Sequence, residues 1–411
     1  MSVPLHVGID RLDGGERMRV ERVIADAVPS VAPTLALMVR RSGEPVFEAA
    51  TGWMDPDKRT RPAATDALFD LASLTKLFTA TMFLGLVSEG RVALDDAVVG
   101  IIPELGGSGP RPVDGGQEPL TRRLLPTPPE HAGWLVDPVE VTFRQLLTHT
   151  SGLAPWRAIF EAAGPVPPPP DDPDPTLASA RWAAGLAAVC GYPFVDVPGR
   201  AFHYSDLGFM LLGEAVQRLG GLTLDQAIAE RVTRPLGLET VTFNPVQAGV
   251  ARREVVPTSV DASWRGRRCW GEAEDENAAG LGGVSGHAGL FASAADVARF
   301  GQAWLDGDPR LGLTRRLLSE ATTDQTAGVV ERPGARGLGW QLRAEHLRDG
   351  EAAFLEPLTP GSYGHTGFTG TSLVIDPSRG LVVALLTNRV HAERTHPGID
   401  ELRAAVSRAV A

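Results

Sequence analysis

Two spacings of apolar residues alternate along the chain and separate predicted helices from predicted strands. Residues 14–28 carry apolar positions at helical spacing. Two β-like runs, residues 34–41 and 45–52, follow around a Ser-Gly-Glu turn and predict a hairpin. Residues 70–89 are apolar on nearly every face, a pattern typical of a buried helix. The N-terminal part of the chain therefore predicts a helix, a hairpin and a second, buried helix.

The middle of the chain is helical in pattern and the C-terminal part returns to strands. Further helices are predicted over residues 141–147, 177–189, 207–219, 223–232, 294–305 and 399–410, and strands over 337–343, 372–376 and 381–387. A sheet built from both ends of the chain, with a helical domain inserted, satisfies this order. We predict an α/β (α+β) fold with a sheet domain of residues 1–70 plus 285–411, a mostly helical domain of residues 71–284, and the active site at their interface.

Composition narrows the class of protein. The 411 residues are 43% hydrophobic and 22% charged, which is typical of a globular chain, and the net charge of −11 disfavours a nucleic-acid partner. No run of 18 apolar residues is present, so we expect no membrane partner. The first ten residues lack the pattern of a signal peptide, so we expect a cytoplasmic protein. The histidines lack metalloenzyme spacing, so we expect a small-molecule substrate with no metal or cofactor.

Lysine is rare in this chain, which makes one lysine informative. Of 39 basic residues only Lys58 and Lys76 are lysines. Lys58 lies in a polar turn, whereas Lys76 lies inside the apolar helical run. A buried lysine can lose its proton and act as a base, which an arginine cannot do. Position 76 is therefore predicted to need an amine for chemistry.

Ser73 precedes Lys76 by three residues, and this spacing places both side chains on one face of a helix. A hydroxyl at the start of a helix lies at the positive end of the helix dipole, which favours a developing alkoxide. An amine in an apolar wall has a lower proton affinity than a free amine and can accept the serine proton. The pair predicts a nucleophilic serine with a lysine partner.

Two further motifs place polar residues at element boundaries. Tyr204 and Asp206 lie in Tyr-Ser-Asp at the start of a predicted helix, where a phenol can point into a cleft. His365 and Thr366 follow a glycine-rich approach and precede a pair of strands, where a substrate backbone can lie close. His149 and His287 lie in tight glycine-containing turns, and we expect them to satisfy buried backbone groups.

The three motifs, in this order, resemble the serine β-lactamase and penicillin-binding-protein superfamily. The tyrosine motif is most similar to the branch of class C β-lactamases, D,D-peptidases and family VIII esterases. The resemblance also covers the segments 69–77, 142–153, 198–213, 235–238, 286–291 and 337–340. It implies an antiparallel sheet flanked by N- and C-terminal helices with an inserted helical domain. No G-x-S-x-G motif of the α/β-hydrolases is present in the sequence.

The resemblance also implies roles for individual residues. Ser73 would attack a carbonyl carbon, while Lys76 and Tyr204 would share the work of the general base. The backbone N–H groups of Ser73 and Phe368 would form an oxyanion hole. His365 and Thr366 would hold the substrate, often by its carboxylate, and Asp206 and Gly367 would also lie at the substrate-binding site.

Two departures from the family pattern leave the substrate open. His365 stands where lysine is also found, and because histidine is only partly charged near neutrality, we expect carboxylate recognition to weaken as pH rises. Asp206 stands where asparagine is usual, and a carboxylate cannot donate a hydrogen bond to a substrate carbonyl. We therefore rank cleavage of a small ester or a D-amino-acid amide above cleavage of a β-lactam. A non-catalytic ligand-binding module and an acyltransferase stay as alternatives.

Overall fold

Helices and strands occur in the order that the sequence predicts in the computed structural model, which describes residues 3–107, 109–331, 334–344, 352–395 and 397–411. The strands are β1 (Leu5–Asp10), β2 (Thr34–Arg41), β3 (Glu44–Gly52), β4 (Phe69–Asp70), β5 (Arg111–Pro112), β6 (Leu135–Val136), β7 (Thr242–Phe243), β8 (Val260–Asp261), β9 (Arg267–Arg268), β10 (Leu290–Ala292), β11 (Gln341–Leu342), β12 (Tyr363–Thr366), β13 (Ser372–Asp376) and β14 (Leu381–Thr387). The α-helices are α1 (Gly14–Ala27), α2 (Thr75–Ser88), α3 (Phe143–Leu147), α4 (Ile159–Ala162), α5 (Ala178–Gly191), α6 (Asp206–Gly220), α7 (Leu224–Ile228), α8 (Arg234–Leu236), α9 (Glu276–Gly280), α10 (Ala294–Asp306), α11 (Arg315–Ala321) and α12 (Ile399–Val410).

Both ends of the chain contribute to one antiparallel sheet, as predicted. Seven of the described strands form it in the order β1-β3-β2-β14-β13-β12-β11. The N-terminal strand β2 pairs with the C-terminal strand β14 over its whole length, with Leu37 opposite Leu385. Every pair of neighbours in this sheet is antiparallel. The predicted α/β (α+β) fold with an antiparallel sheet is confirmed.

The two faces of the sheet bury different helices, because side chains alternate along each strand. On one face Leu37 of β2 packs in a cluster with Ile24 of α1 and Val406 of α12. On the other face Met38 joins the large core that contains α2, α6 and α10. Both residues are at least 97% buried. The sheet is therefore covered on both sides, and α2 lies on the same side as the main core.

Helix α2 begins later than the sequence predicts, and the delay shapes the site. Phe69–Asp70 forms β4, which pairs with β10, and Ala72–Leu74 forms a 3-10 turn before α2 starts at Thr75. The Asp70 carboxylate accepts the Ala72 N–H at 2.8 Å. Ala72 has a φ of 46°, a value that residues other than glycine rarely adopt. The chain thus turns sharply out of a strand immediately before Ser73.

The C-terminal strands agree with prediction except for β11, where only Gln341–Leu342 of the predicted 337–343 is paired. Gly337 donates its N–H to the Trp340 carbonyl, so the residues before Gln341 form a turn. The division into domains 1–70 plus 285–411 and 71–284 stays a prediction. In the ranges that the structure describes, no helix combines the length and apolar composition needed to cross a bilayer.

Candidate active site

Ser73 lies in the 3-10 turn before α2 and is half-buried at the wall of a cleft. Lys76, one turn further on, is fully buried and donates a hydrogen bond from Nζ to Ser73 Oγ at 2.9 Å. The three-residue spacing therefore brings hydroxyl and amine together, as the sequence predicts. The predicted nucleophile and its partner are in direct contact.

The charge state of Lys76 differs from the sequence-based expectation. Burial lowers the pKa of this amine, but Asp206 and Tyr204 outweigh burial and raise the pKa above its ordinary value. Asp206 Oδ1 lies 2.7 Å from Nζ, which makes the two side chains an ion pair. The expectation that the amine has a lowered proton affinity is therefore wrong, whereas its role as an acceptor of the serine proton stays a prediction. In this site Lys76 is an ammonium group that donates to Ser73.

Tyr204 and Asp206 are positioned by the start of α6. Ser205 caps this helix through its side chain, and its backbone N–H donates to His149 Nδ1 at 2.9 Å. The Asp206 N–H donates to the Pro155 carbonyl, which fixes the carboxylate beside Lys76. The Lys76 Nζ lies 5.0 Å from the centroid of the Tyr204 ring. The expectation for His149 is confirmed, because its ring satisfies a buried backbone N–H.

His287 enters the site through its backbone, which the sequence does not reveal. Its carbonyl accepts a hydrogen bond from Lys76 at 3.0 Å, while its ring contacts Asp275 and Ser285, each at 2.8 Å. The expectation that the His287 ring satisfies buried backbone is therefore wrong. The neighbouring Gly286 packs tightly against α6, where a Cβ would lie 2.1 Å from the Phe209 carbonyl oxygen.

A cluster of metal-binding side chains lies around the same ammonium. Ligand atoms of Asp206, Asp275 and His287 lie within 4.8 Å of one another. Burial raises the pKa of Asp275, but contact with His287 outweighs it and lowers that pKa. Because the Lys76 ammonium lies 2.7 Å from Asp206 and 3.0 Å from the His287 carbonyl, a cation already balances the cluster.

His365 lies on β12 but is withdrawn from the cleft. Its side chain is 98% buried, and Nδ1 lies 2.8 Å from the Thr366 carbonyl. Burial, assisted by the nearby Arg336 and Lys76 charges, holds the pKa of His365 well below its usual value. The ring is therefore neutral near pH 7. The expectation that His365 is partly charged and loses carboxylate affinity as pH rises is wrong.

The turn after β12 is fastened to the segment that precedes the nucleophile. Thr369 Oγ1 donates to the Asp70 carbonyl at 2.7 Å, and Thr371 Oγ1 donates to the Leu71 carbonyl at 3.1 Å. Gly367 is packed so tightly that a Cβ there would lie 2.5 Å from the Leu71 carbonyl oxygen. These contacts hold the turn that carries Phe368 against the segment that precedes Ser73, and both residues line the same cleft. The structure therefore brings together the two residues predicted to supply oxyanion-hole donors.

The cleft in front of Ser73 has a volume of about 730 Å³ and a mixed charge. Such a volume suits a small molecule or a short peptide. The predicted residues Ser73, Tyr204, Asp206, Thr366, Gly367 and Phe368 line it. It also contains side chains that sequence reasoning did not select, namely Trp156, Glu274, Asp275, Glu276, Arg389, Arg394 and Arg403. Tertiary folding alone brings these residues to the site, and no local motif marks them.

Comparisons with known proteins agree with this geometry. The family model described as Beta-lactamase matches residues 20–408. A protein of Escherichia coli K12 named "Putative D-alanyl-D-alanine carboxypeptidase" is 28% identical over 401 residues, covering 92% of this chain and 83% of that protein. A penicillin-binding-protein homologue from Caulobacter crescentus has a TM-score of 0.67 at 22% identity, with 98% of each chain covered. EstCE1, titled a hydrolase with promiscuous acyltransferase activity, has a TM-score of 0.67 at 19% identity, covering 97% of this chain and 99% of that chain.

Proposed function

Because the chain belongs to the beta-lactamase family, we propose that it is an acyl-serine hydrolase that cleaves a small ester or a D-amino-acid amide. The observation that carries the proposal is the triple contact of Lys76 Nζ with Ser73 Oγ, Asp206 and the His287 carbonyl. An ammonium donating to the serine oxygen stabilises negative charge on that oxygen. The name of the Escherichia coli relative supports an amide bond between D-amino acids as one substrate.

In this proposal Tyr204 takes the serine proton, because Asp206 and Tyr204 raise the pKa of Lys76 above its ordinary value. Ser73 Oγ forms a bond to the carbonyl carbon, its proton passes to the Tyr204 oxygen, and the proton that Tyr204 carried passes to the leaving-group atom. The electron pair of the carbonyl moves to its oxygen, facing the N–H groups of Ser73 and Phe368. The electron pair of the oxyanion then re-forms the carbonyl, and the bond to the protonated leaving group breaks. Water repeats these steps on the acyl-enzyme and releases the acid.

Asp206 supports the ranking of esters and D-amino-acid amides above β-lactams. Its carboxylate is engaged with Lys76 and has no N–H to offer a substrate carbonyl. An ester has a good leaving group and depends less on such a donor. We therefore expect turnover of p-nitrophenyl acetate to exceed turnover of nitrocefin.

An acyltransferase is the second candidate, and the promiscuous acyltransferase activity of EstCE1 favours it. The same acyl-enzyme would react with an alcohol or amine in place of water. Adding methanol to the ester assay distinguishes the two, since transfer produces a methyl ester whereas hydrolysis produces only the acid.

Mass spectrometry of an adduct tests the proposal directly. The protein is incubated with a fluorophosphonate and, separately, with a fluorescent penicillin, beside the Ser73→Ala variant. We expect a covalent adduct in the wild type and none in Ser73→Ala. An adduct that persists in Ser73→Ala would identify a different nucleophile. No adduct with either reagent would favour the non-catalytic binding module.

A further inference from the structure

Arg403 of the C-terminal helix α12 is a buried cation that is hydrogen-bonded to the turn after β12. Its side chain is 93% buried, and Nη2 donates to the Gly367 carbonyl at 2.8 Å and to the Thr371 carbonyl at 2.9 Å. Nη1 pairs with the exposed Asp400 at 2.8 Å. Burial lowers the pKa of Arg403 to about 10, so the guanidinium keeps its charge near pH 7. Helix α12 therefore places a positive charge on a turn that lines the active-site cleft.

The carbonyl of Gly367 and the N–H of Phe368 belong to the same peptide unit. In a planar trans peptide these two groups point in opposite directions, so holding the carbonyl fixes the direction of the N–H. Within the described residues the Phe368 N–H has no acceptor. Phe368 lines the same cleft as Ser73. The contact with Arg403 thus determines where one predicted oxyanion-hole donor points.

The hydrogen bond from Arg403 adds to the bonds that the turn makes within itself. The Gly367 carbonyl also accepts the Gly370 N–H at 3.0 Å, an ordinary turn bond between neutral groups. A hydrogen bond from an ionised donor is stronger, and it polarises the peptide unit so that the N–H at the other end becomes a better donor. On the following peptide unit, the Phe368 carbonyl accepts Arg389 Nε at 2.9 Å. The peptide units on both sides of Phe368 are therefore held by cations.

We propose that Arg403 is a positioning residue that orients and polarises the Gly367–Phe368 peptide unit, so that the Phe368 N–H stabilises the oxyanion formed when Ser73 attacks a carbonyl. The inference rests on the proposed function, because the oxyanion arises only in that reaction. It adds a residue that neither the three sequence motifs nor the contacts of Ser73 include. Arg403 acts through the peptide unit and needs no contact with the substrate.

The first test compares Arg403→Met and Arg403→Lys with wild type in the hydrolysis of p-nitrophenyl acetate, a neutral ester. Removing an oxyanion-hole donor outright lowers kcat by about 10²–10³-fold, and Arg403 acts on such a donor indirectly, so we expect kcat of Arg403→Met to fall by about tenfold. KM should change by less than about twofold, because the lost interaction belongs to the transition state. Arg403→Lys keeps a charged donor and should recover part of the loss, and it carries the test if Arg403→Met does not fold.

Arg111→Met is the matched control. Arg111 is 96% buried and, like Arg403, donates from one nitrogen to two backbone carbonyls, those of Cys190 at 2.6 Å and Tyr192 at 2.8 Å. It does not line the cleft that contains Ser73. The substitution therefore removes the same kind of buried guanidinium away from the site. We expect kcat and KM of Arg111→Met to match those of wild type.

An NMR measurement that needs no turnover separates failure of this inference from failure of the proposed function. The protein is labelled at the amide nitrogens of its 14 phenylalanines, and Phe368→Leu identifies the signal of residue 368. This signal should move upfield in Arg403→Met, because the peptide unit loses its charged donor, and should move less in Arg403→Lys. It should stay in place in Arg111→Met. The movement is expected even if the wild type hydrolyses nothing, in which case the proposed function alone has failed.

Three results would overturn the role of Arg403. An Arg403→Met variant that hydrolyses the ester with the kcat of wild type would do so. A lower kcat and a lower Tm with an unmoved Phe368 signal would show that Arg403 only anchors α12. A raised KM with an unchanged kcat would make Arg403 part of the substrate-binding surface instead.

Discussion

Replacing Asp206 by asparagine removes the charge that keeps Lys76 protonated. The Oδ1–Nζ distance of 2.7 Å corresponds to an attraction of about 6 kcal/mol at an effective dielectric constant of about 20. In the wild type the pKa of Lys76 is raised, so its stabilisation is complete below the ordinary lysine pKa of about 10.4 and is lost only at still higher pH. In the neutral pH range, the stabilisation that the ion pair gives the wild type therefore does not change with pH.

In Asp206→Asn, burial becomes the main influence on Lys76, and we expect its pKa to fall below the ordinary value. The buried amine can then lose its proton, and this deprotonation limits the cost of the substitution. Deprotonating an ordinary lysine costs about 4.6 kcal/mol at pH 7 and about 1.9 kcal/mol at pH 9. The pH-dependent part of the stability loss should therefore shrink with rising pH, from at most about 4.6 kcal/mol at pH 7 to at most about 1.9 kcal/mol at pH 9.

Thermal unfolding of both proteins at pH 7, 8 and 9 measures this slope. The entropy of unfolding scales with the number of residues, so in a chain of this length a stability loss of about 4 kcal/mol lowers Tm by about 5 °C. Asp95→Asn is the control, because Asp95 is 70% exposed in its pair with Arg144 and should cost under about 1 kcal/mol at every pH. An Asp206→Asn deficit that is the same at pH 7 and pH 9 would refute the reasoning about Lys76.

Three further substitutions test other parts of the site. Lys76→Arg keeps a positive charge but replaces a compact ammonium with a planar guanidinium, so ester turnover should fall by about a hundredfold or more. A near-normal kcat/KM would contradict the role of the Lys76 amine beside Ser73. Gly367→Ala would bring a Cβ to 2.5 Å from the Leu71 carbonyl oxygen and push the turn away from the segment before Ser73. Adduct formation should therefore be nearly abolished while the α-helical circular dichroism persists. Full labelling of the variant would contradict this packing argument. Burial raises the pKa of Asp70 to about 7, so the wild type loses stability as pH rises from about 4 to 7. The free energy of unfolding of Asp70→Asn, measured by chemical denaturation, should therefore rise relative to that of the wild type by up to about 4 kcal/mol between pH 4 and pH 8. A difference that does not change with pH would argue against a titrating Asp70.

The sequence predicts those parts of the structure that depend on local spacing. The strands Ser372–Asp376 and Leu381–Thr387 occur as predicted, because their side chains are buried and their ends are marked by a Pro-Ser-Arg-Gly turn. The contact of Ser73 with Lys76 follows from three-residue helical spacing. Even there, the strand β4 that delays the helix depends on pairing with β10, a partner distant in sequence.

The charges of the site could not be predicted, because partners from distant segments set them. Asp206 and Tyr204 raise the pKa of the Lys76 amine, and burial holds the pKa of His365 well below its usual value. Local sequence thus predicts which side chains meet, whereas the tertiary fold decides their protonation.

The pairing of β2 with β14 has a consequence for how the protein is made. A ribosome releases the hairpin of β2 and β3 early, with one hydrogen-bonding edge of β2 open, and the strand that covers this edge is among the last to emerge. An uncovered strand edge is a template for wrong pairing, so the nascent chain is exposed to aggregation throughout most of its synthesis. Ser73 likewise emerges long before the turn at Gly367 and Phe368 that completes its site. Hydrolytic activity should therefore report on chain completion, and a chain truncated before β12 should be both inactive and prone to aggregate.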